Sequence, residues 1–262
     1  MDELLQVMAR LRAPLGGCPW DRVQTFASLV SHTLEEAYEV VETIDQGDFT
    51  ALRDELGDLL FQVVFYAQIA EERGLFDFAA VVGAIVDKLV RRHPHVFGND
   101  PGGSSEMLSL AWEQQKVKER FVRGEATSSL MDGVGHGLPG LLRAMKLQQR
   151  AASIGFDWQD GNAVFDKLAE EVEELRQAQT EGGDPQRIMD EVGDILFTCV
   201  NLARHHRVDP ETALRQVNTR FERRFRRMEA LAAVHNASLS QFDLHQMDTL
   251  WEEAKAEERD RN

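Results

Sequence analysis

Hydrophobic and polar positions alternate along this chain with the period of an α-helix. In the first predicted helix the apolar residues recur at that spacing, before a proline and paired glycines close it: Leu4, Leu5, Met8 and Leu11. No stretch shows the sustained period-two alternation of β-branched residues that is typical of strands. The pattern predicts an all-α protein.

Three further helices of the first half differ in how much of their surface is apolar. Residues 34–44 form a one-sided pattern with glutamates opposite the apolar face. In residues 52–70 the apolar positions cover most of the helix circumference, so we expect this helix to be mostly buried. Residues 78–92 place four apolar side chains on one face, which we expect to point inward: Val82, Ile85, Val86 and Leu89.

One narrow polar strip remains on the apolar helix 52–70, and it carries Glu55, Asp58 and Gln62. Residues three apart on a helix lie side by side, at roughly 5–6 Å between β-carbons. Burying bare carboxylates costs several kcal/mol each unless they are paired or bound to metal. These acids are therefore expected to face a partner helix or a cleft, with a cation between them.

An internal repeat runs through the chain. DELGDLLF at 54–61 returns as DEVGDILF at 190–197, and Glu-Glu-x-x-Glu at 35–39 returns at 170–174. The landmarks behind them recur in the same order, with Lys88, Arg91, Arg92, Trp112 and Lys116 matched by Arg220, Arg223, Arg224, Trp251 and Lys255. The repeat predicts an N-terminal module at 1–124, a linker at 125–137 and a C-terminal module at 138–262.

Charge and composition narrow the classes of partner. The chain has 262 residues and a formal net charge of −16, which argues against binding a nucleic acid polymer, because such polymers are held by clustered Lys and Arg. The two cysteines, Cys18 and Cys199, suggest neither a disulfide framework nor a thiolate metal site, and fit a reducing cytoplasm. No stretch approaches the roughly 20 apolar residues of a membrane span, and no signal peptide is evident.

Two adjacent helices of one module, packed antiparallel, would gather four carboxylates. In the first half these are Glu36, Glu39, Glu55 and Asp58, and in the second half they are Glu171, Glu174, Glu191 and Asp194. Purely oxygen ligation suits a hard divalent cation, Mg²⁺ with Mn²⁺ as a substitute, and leaves coordination positions for water and phosphate oxygens. A glutamate run on a helix is more often a solvated face, but the second, apolar helix favours a metal site.

Glu-Glu-x-x-Glu followed by Glu-x-x-Asp on the next helix resembles the all-α nucleoside triphosphate pyrophosphohydrolases. The tandem arrangement, together with Gly17-Cys18-Pro19-Trp20-Asp21, resembles the MazG family over essentially the whole chain. The resemblance implies Mg²⁺-dependent hydrolysis of NTPs, ATP among them, and of dNTPs to the monophosphate and pyrophosphate. It also implies a homodimer whose helices form four-helix bundles.

Carried over by position, the resemblance gives each motif residue a role. The second-half acids Glu171, Glu174, Glu191 and Asp194 would be the metal ligands and the catalytic group. Arg220, Arg224 and Lys255 would contact the triphosphate, with Trp251 near the nucleoside; their first-half counterparts are Lys88, Arg92, Lys116 and Trp112. A lone Trp stacks on any base, which predicts broad base tolerance. Both halves keep every carboxylate, so either or both can be active; the longer unbroken helix around Arg220 favours the second.

Other functions compete with this interpretation. A di-iron bundle would need Glu-x-x-His pairs, and the corresponding positions carry Asp58 and Asp194. A non-catalytic helical interaction scaffold gives no reason for acids inside an apolar helix. A narrower pyrophosphohydrolase acting on dUTP or phosphoribosyl-ATP shares the same metal chemistry and stays open.

Overall fold

The computed structural model describes residues 2–98, 129–234 and 236–261, and all regular secondary structure in these ranges is helical. The prediction of an all-α protein is therefore confirmed. The chain divides into two compact units, Met1–Trp112 and Glu113–Asn262. The predicted boundary at 124/125 lies outside the described residues, so the module bounds stay a prediction. Within the described ranges no helix is both long enough and apolar enough to cross a bilayer.

The first unit contains a long helical pair flanked by shorter helices. Its described helices are α1 (Asp2–Leu11), α2 (Pro19–Val23), α3 (Val30–Gln46), α4 (Phe49–Glu72), α5 (Phe78–Arg92) and α6 (Pro94–Phe97). Helix α4 is central, because α1, α3 and α5 all pack against it. The predicted first helix and the helices predicted at 34–44, 52–70 and 78–92 are all present. The helix predicted at 34–44 spans Val30–Gln46, and the helix predicted at 52–70 spans Phe49–Glu72.

The second unit has its own helical pair and a long C-terminal hairpin. Its described helices are α7 (Gly140–Ala152), α8 (Gly161–Thr180), α9 (Pro185–His205), α10 (Pro210–Val234) and α11 (Leu244–Arg261), with a short 3₁₀ turn at Leu239–Gln241. Helices α8 and α9 pack side by side, α7 packs on α9 and α10, and α11 packs on α10.

In both long helical pairs, the second helix begins at a capping aspartate. Gly47 ends α3 in the left-handed conformation at φ 72°, where a side chain would be strained, and Asp48 immediately caps α4 by accepting from the backbone N–H groups of Thr50 and Ala51. In the repeat, Asp184 caps α9 by accepting from the N–H of Gln186. The short links oblige the two helices of each pair to run antiparallel.

The buried cores lie in different places in the two units. In the first, apolar side chains of α1 and α4 meet a residue just before α3: Met8, Leu29, Val64, Phe65 and Ile69. In the second, the main cluster joins α10 to α11: Met228, Leu231, Ala232, Leu250 and Ala254. The core of the first unit thus includes a helix of the long pair, whereas the main core of the second unit lies outside its long pair.

Two expectations about burial are wrong. Helix α4 buries its C-terminal half, but Leu56 in its N-terminal half is 49% exposed. Helix α5 has no buried residue, and Leu89 on the face expected to point inward is 46% exposed. Periodicity predicts that such a face will be covered, but it does not show whether the covering surface belongs to the same unit. Among the described residues of the first unit, no surface fully covers the apolar face of α5.

Candidate functional site

The α3–α4 pair brings the first set of predicted acids together. One carboxylate oxygen from each of Glu36, Glu55 and Asp58 lies within 4.8 Å of the other two. Burial raises the pKa of Glu36, and the nearby charges of Asp58 and Glu39 raise it further. Burial also raises the pKa of Glu55, followed by the charges of Glu39 and Asp58. The four predicted acids are therefore linked electrostatically, because Glu39 and Asp58 each raise the pKa of both Glu36 and Glu55.

The α8–α9 pair forms the equivalent cluster in the second unit. Oxygens of Glu171, Glu174 and Glu191 lie within 4.8 Å of one another, and Glu171 is buried at 6% exposure. A hydrogen bond with Glu171, then burial, raises the pKa of Glu174. Asp194 follows Glu191 by one turn on α9 but is not part of this three-oxygen group. The structure thus groups three of the four predicted acids, as it also does in the first unit.

Two cations that motif reasoning missed contact the second cluster. Lys167 Nζ lies 2.9 Å from Glu171 Oε1 and 2.7 Å from Glu170 Oε1. Arg187 Nε lies 3.9 Å from Glu191 Oε1. Each basic residue precedes its glutamate by four positions, which places the pair on one helix face. That spacing was a signal available in the sequence.

The first cluster has a different neighbour. Gln62 Nε2 donates to Glu36 Oε1 at 3.4 Å, whereas Gln62 Oε1 is buried without a hydrogen-bond partner. Gln62 itself is 5% exposed. His32 occupies the position equivalent to Lys167, but its Nδ1 lies 3.6 Å from Glu35, and its ring packs edge-on against Trp20.

Two of the three predicted phosphate contacts of the second unit, Arg224 and Lys255, already have carboxylate partners. Arg224 Nε donates to Glu258 Oε2 at 2.6 Å, and its guanidinium lies 5.7 Å from the centre of the Trp251 ring. Lys255 Nζ donates to Glu252 Oε1 at 2.8 Å. Arg220 is exposed on α10.

The other predicted substrate residues are less informative. Trp251 is half-buried, packs 5.4 Å from the Phe221 ring centre and supports the α10–α11 core. In the first unit Lys88 and Arg92 are half-buried in the last turns of α5. Trp112 and Lys116 lie outside the described residues.

The acids fit a hard divalent cation. Every donor is a carboxylate oxygen, and burial, followed by neighbouring carboxylates, raises the pKa of Glu36 and Glu55, while a hydrogen bond with Glu171 raises that of Glu174. Oxygen ligands at this density suit Mg²⁺ or Mn²⁺, which hold water and phosphate oxygens in their remaining positions.

Comparison with known proteins gives consistent matches. Residues 24–97 match the model of the MazG nucleotide pyrophosphohydrolase domain, and residues 139–221 match that of phosphoribosyl-ATP pyrophosphohydrolase. The nucleoside triphosphate pyrophosphohydrolase of Escherichia coli K12 is 47% identical over 99% of this chain and 98% of its own length. The nucleoside triphosphate pyrophosphohydrolase/pyrophosphatase MazG of Thermotoga maritima is 42% identical over 97% of this chain and 95% of its own length. A crystal structure of a mazG-related protein from Thermotoga maritima aligns with 45% of this chain and 99% of that one, at 26% identity and a TM-score of 0.38.

Proposed function

Since this chain belongs to the MazG family of nucleotide pyrophosphohydrolases, with two such modules in tandem, we propose that it hydrolyses nucleoside triphosphates to monophosphate and pyrophosphate. The reaction depends on Mg²⁺, with Mn²⁺ as a substitute, and includes ATP and the dNTPs. The observation that carries the proposal is the gathering of carboxylate oxygens within 4.8 Å on the paired helices of each unit.

The second unit supplies the catalytic acids in this proposal. Glu171, Glu174, Glu191 and Asp194 hold the divalent cation, and Glu36, Glu39, Glu55 and Asp58 do so in the first unit. A cation held by these acids would screen the charge of the triphosphate and lower the pKa of a water molecule. A glutamate of the cluster that is not fully committed to the metal would accept the proton from the attacking water.

The basic residues behind the acids orient the substrate. Arg220, Arg224 and Lys255 contact the triphosphate, with Arg224 exchanging Glu258 for a phosphate oxygen. Trp251 lies near the nucleoside, and recognition by one aromatic ring predicts broad base tolerance. In the first unit Lys88, Arg92, Trp112 and Lys116 have the corresponding roles. The match of residues 139–221 to phosphoribosyl-ATP pyrophosphohydrolase makes that substrate the second candidate.

We also propose a homodimer. Equivalent helices of the two repeats expose apolar side chains in register: Val82, Ile85 and Leu89 on α5, and Leu214, Val217 and Phe221 on α10. Exposed apolar surface of this kind is typical of an interaction site, and a second copy of each module would complete a four-helix bundle. Free thiols at Cys18 and Cys199 fit a cytoplasmic setting.

The test is a substrate panel. The chain is incubated with each NTP and dNTP, dUTP and phosphoribosyl-ATP, with Mg²⁺ and after its removal by EDTA, and the products are separated. We expect pyrophosphate and the monophosphate from most nucleotides and no reaction after chelation. Release of orthophosphate with the diphosphate would contradict the proposed chemistry, and turnover of phosphoribosyl-ATP alone would favour the second candidate.

A further inference from the structure

Equivalent glutamates of the two carboxylate clusters have different partners. Glu171 faces the ammonium of Lys167 at 2.9 Å, whereas its equivalent, Glu36, receives a hydrogen bond from the neutral amide of Gln62 at 3.4 Å. The partners cannot be exchanged, because His32 stands where the second unit has Lys167, and Thr198 stands where the first has Gln62.

We propose that Lys167 is a resident cation of the second cluster that competes with free divalent metal for Glu171, so that the second site binds the free ion more weakly than the first. The inference rests on the proposed function, since it assigns a property to the same metal site. Lys167 acts through Glu171 and is in this sense a positioning residue.

Contact geometry supports the competition. Lys167 Nζ is shared between Glu171 and Glu170, at 2.9 and 2.7 Å from their Oε1 atoms, and these hydrogen bonds hold it on the cluster. Glu171 is buried, so its oxygens are approached from few directions. A metal ion that takes Glu171 Oε1 must displace the ammonium or remain close to it, and two positive charges at this distance repel each other.

Within the described part of the first unit, Glu36 has no such competing cation. His32 pairs with Glu35 and with the edge of Trp20. Gln62 carries no charge, and its unpartnered, buried Oε1 adds an acceptor next to the acids. A free cation therefore meets the first cluster without having to expel a positive charge.

Bound nucleotide should offset the weaker binding of the divalent cation to the second site. A metal–triphosphate complex carries net negative charge, so an ammonium that repels the free ion attracts the complex. The second site is thus loaded by metal together with nucleotide, whereas the first site takes up the free ion. The tandem chain would then hold one site that responds to free metal and one that responds to metal-bound nucleotide.

The experiment measures free Mn²⁺ by electron paramagnetic resonance during titration of the full chain. Glu55→Gln leaves the second site to be observed, and Glu191→Gln leaves the first. Without nucleotide, we expect the second site to bind Mn²⁺ about tenfold more weakly, equivalent to about 1.4 kcal/mol. Adding Lys167→Gln to the Glu55→Gln chain should restore about that factor, and Lys167→Arg should not.

A reciprocal variant and a matched control complete the design. His32→Lys in the Glu191→Gln chain places a lysine four residues before Glu36 and should weaken the first site about tenfold. Lys146→Gln makes the same charge change at an exposed position of α7 and should leave both affinities unchanged.

Two outcomes would overturn the inference: equal Mn²⁺ affinity in the two single-site chains, or an equal response to Lys167→Gln and Lys146→Gln. Absence of Mn²⁺ binding from both single-site chains and the parent chain would instead contradict the metal site of the proposed function. Thermal unfolding of every variant separates these results from misfolding, and the His32→Lys result stands even if a Lys167 variant fails to fold.

Discussion

The helices α4 and α9, which carry half of the acids, share one sequence pattern but pack differently in their C-terminal halves. Phe65 of α4 is fully buried and lies beneath the guanidinium of Arg12, at 5.4 Å. The equivalent residue of α9 is Asn201, also buried, which accepts a hydrogen bond from Arg204 at 3.0 Å. An aromatic core in one unit thus corresponds to a polar contact in the other.

The comparison shows which part of each helix is constrained. The acidic turns keep Glu-x-x-Asp in both units, because a cation needs oxygens at a fixed separation. The C-terminal half needs only a well-packed or fully hydrogen-bonded interior, which different residues can provide. Function and stability can therefore be altered separately in each unit.

The largest expected effect concerns which unit is catalytic. Glu191→Gln should lower kcat/KM roughly 10²- to 10³-fold, because lost electrostatic stabilisation of the transition state has effects of that size. Glu55→Gln should leave nucleotide hydrolysis nearly unchanged. Steady-state release of pyrophosphate measures both, with Glu173→Gln on the exposed face of α8 as control. A larger loss from Glu55→Gln would assign catalysis to the first unit.

The next effect concerns the buried C-terminal halves of α4 and α9. Phe65→Ala removes a fully buried ring and should lower the free energy of unfolding of the first unit by about 3–5 kcal/mol. Asn201→Ala removes one hydrogen bond to Arg204 and should cost about 1–2 kcal/mol in the second. Urea unfolding with hydrogen exchange assigns each change to a unit. Similar losses at both positions would contradict the distinction between an aromatic and a polar interior.

A smaller difference should appear in the response to acid. Hydrogen bonds from Arg12 lower the pKa of Glu72 below its ordinary 4.5. Burial alone would raise the pKa of Asp157, but the hydrogen bonds and charge of Arg204 lower it below its ordinary 3.8. Because both folded-state pKa values are depressed, these pairs stabilise the protein above the ordinary values and lose that stabilisation as pH falls.

Arg12→Gln should therefore lower the free energy of unfolding of the first unit by roughly 1.5–3 kcal/mol at neutral pH, the usual contribution of hydrogen bonds to charged groups. The stability of the variant should also fall less steeply as the pH is lowered. Arg204→Gln should do the same for the second unit, at lower pH. Thermal unfolding from pH 7 to pH 3 measures how the stability of each unit depends on pH. An unchanged slope in Arg12→Gln would show that Glu72 is not stabilised by this pair.

The smallest effect concerns the helix caps. Asp48 accepts two backbone hydrogen bonds and Asp184 one. Asp48→Ala should cost about 1 kcal/mol and Asp184→Ala about half of that, since Ncap substitutions fall in this range. Chemical denaturation measures the difference, and the Asn variant at each position, which keeps an accepting oxygen, should recover most of the loss.

Local signals were sufficient for much of the fold. Helix α5 has the predicted bounds, because Asp77 caps its start and Pro94 lies just after its end. The grouping of the acids followed from helical spacing and the short link between α3 and α4. Contacts between distant positions were not predictable in this way: Gln62 reaches Glu36 across the helical pair, and no sequence period encodes that distance.

Burial of the apolar faces was the least predictable property. The pattern of α5 correctly marks an amphipathic helix, but its apolar face is exposed in the described unit. Hydrophobic periodicity identifies a surface that needs a partner, and it contains no information about which chain supplies it. The roles of Arg224 and Lys255 were similarly incomplete, because the repeat does not show that Arg224 pairs with Glu258 and Lys255 with Glu252.

The links between the paired helices also bear on the order of folding. Only Gly47 and Asp48 separate α3 from α4, and a similarly short turn separates α8 from α9. Closing such short loops costs little chain entropy, and contacts between residues close in sequence form quickly. Each acidic cluster is therefore a local product of one helical hairpin. During synthesis it can assemble before the long α10–α11 hairpin, so a bound ion would stabilise an early intermediate as well as the finished protein.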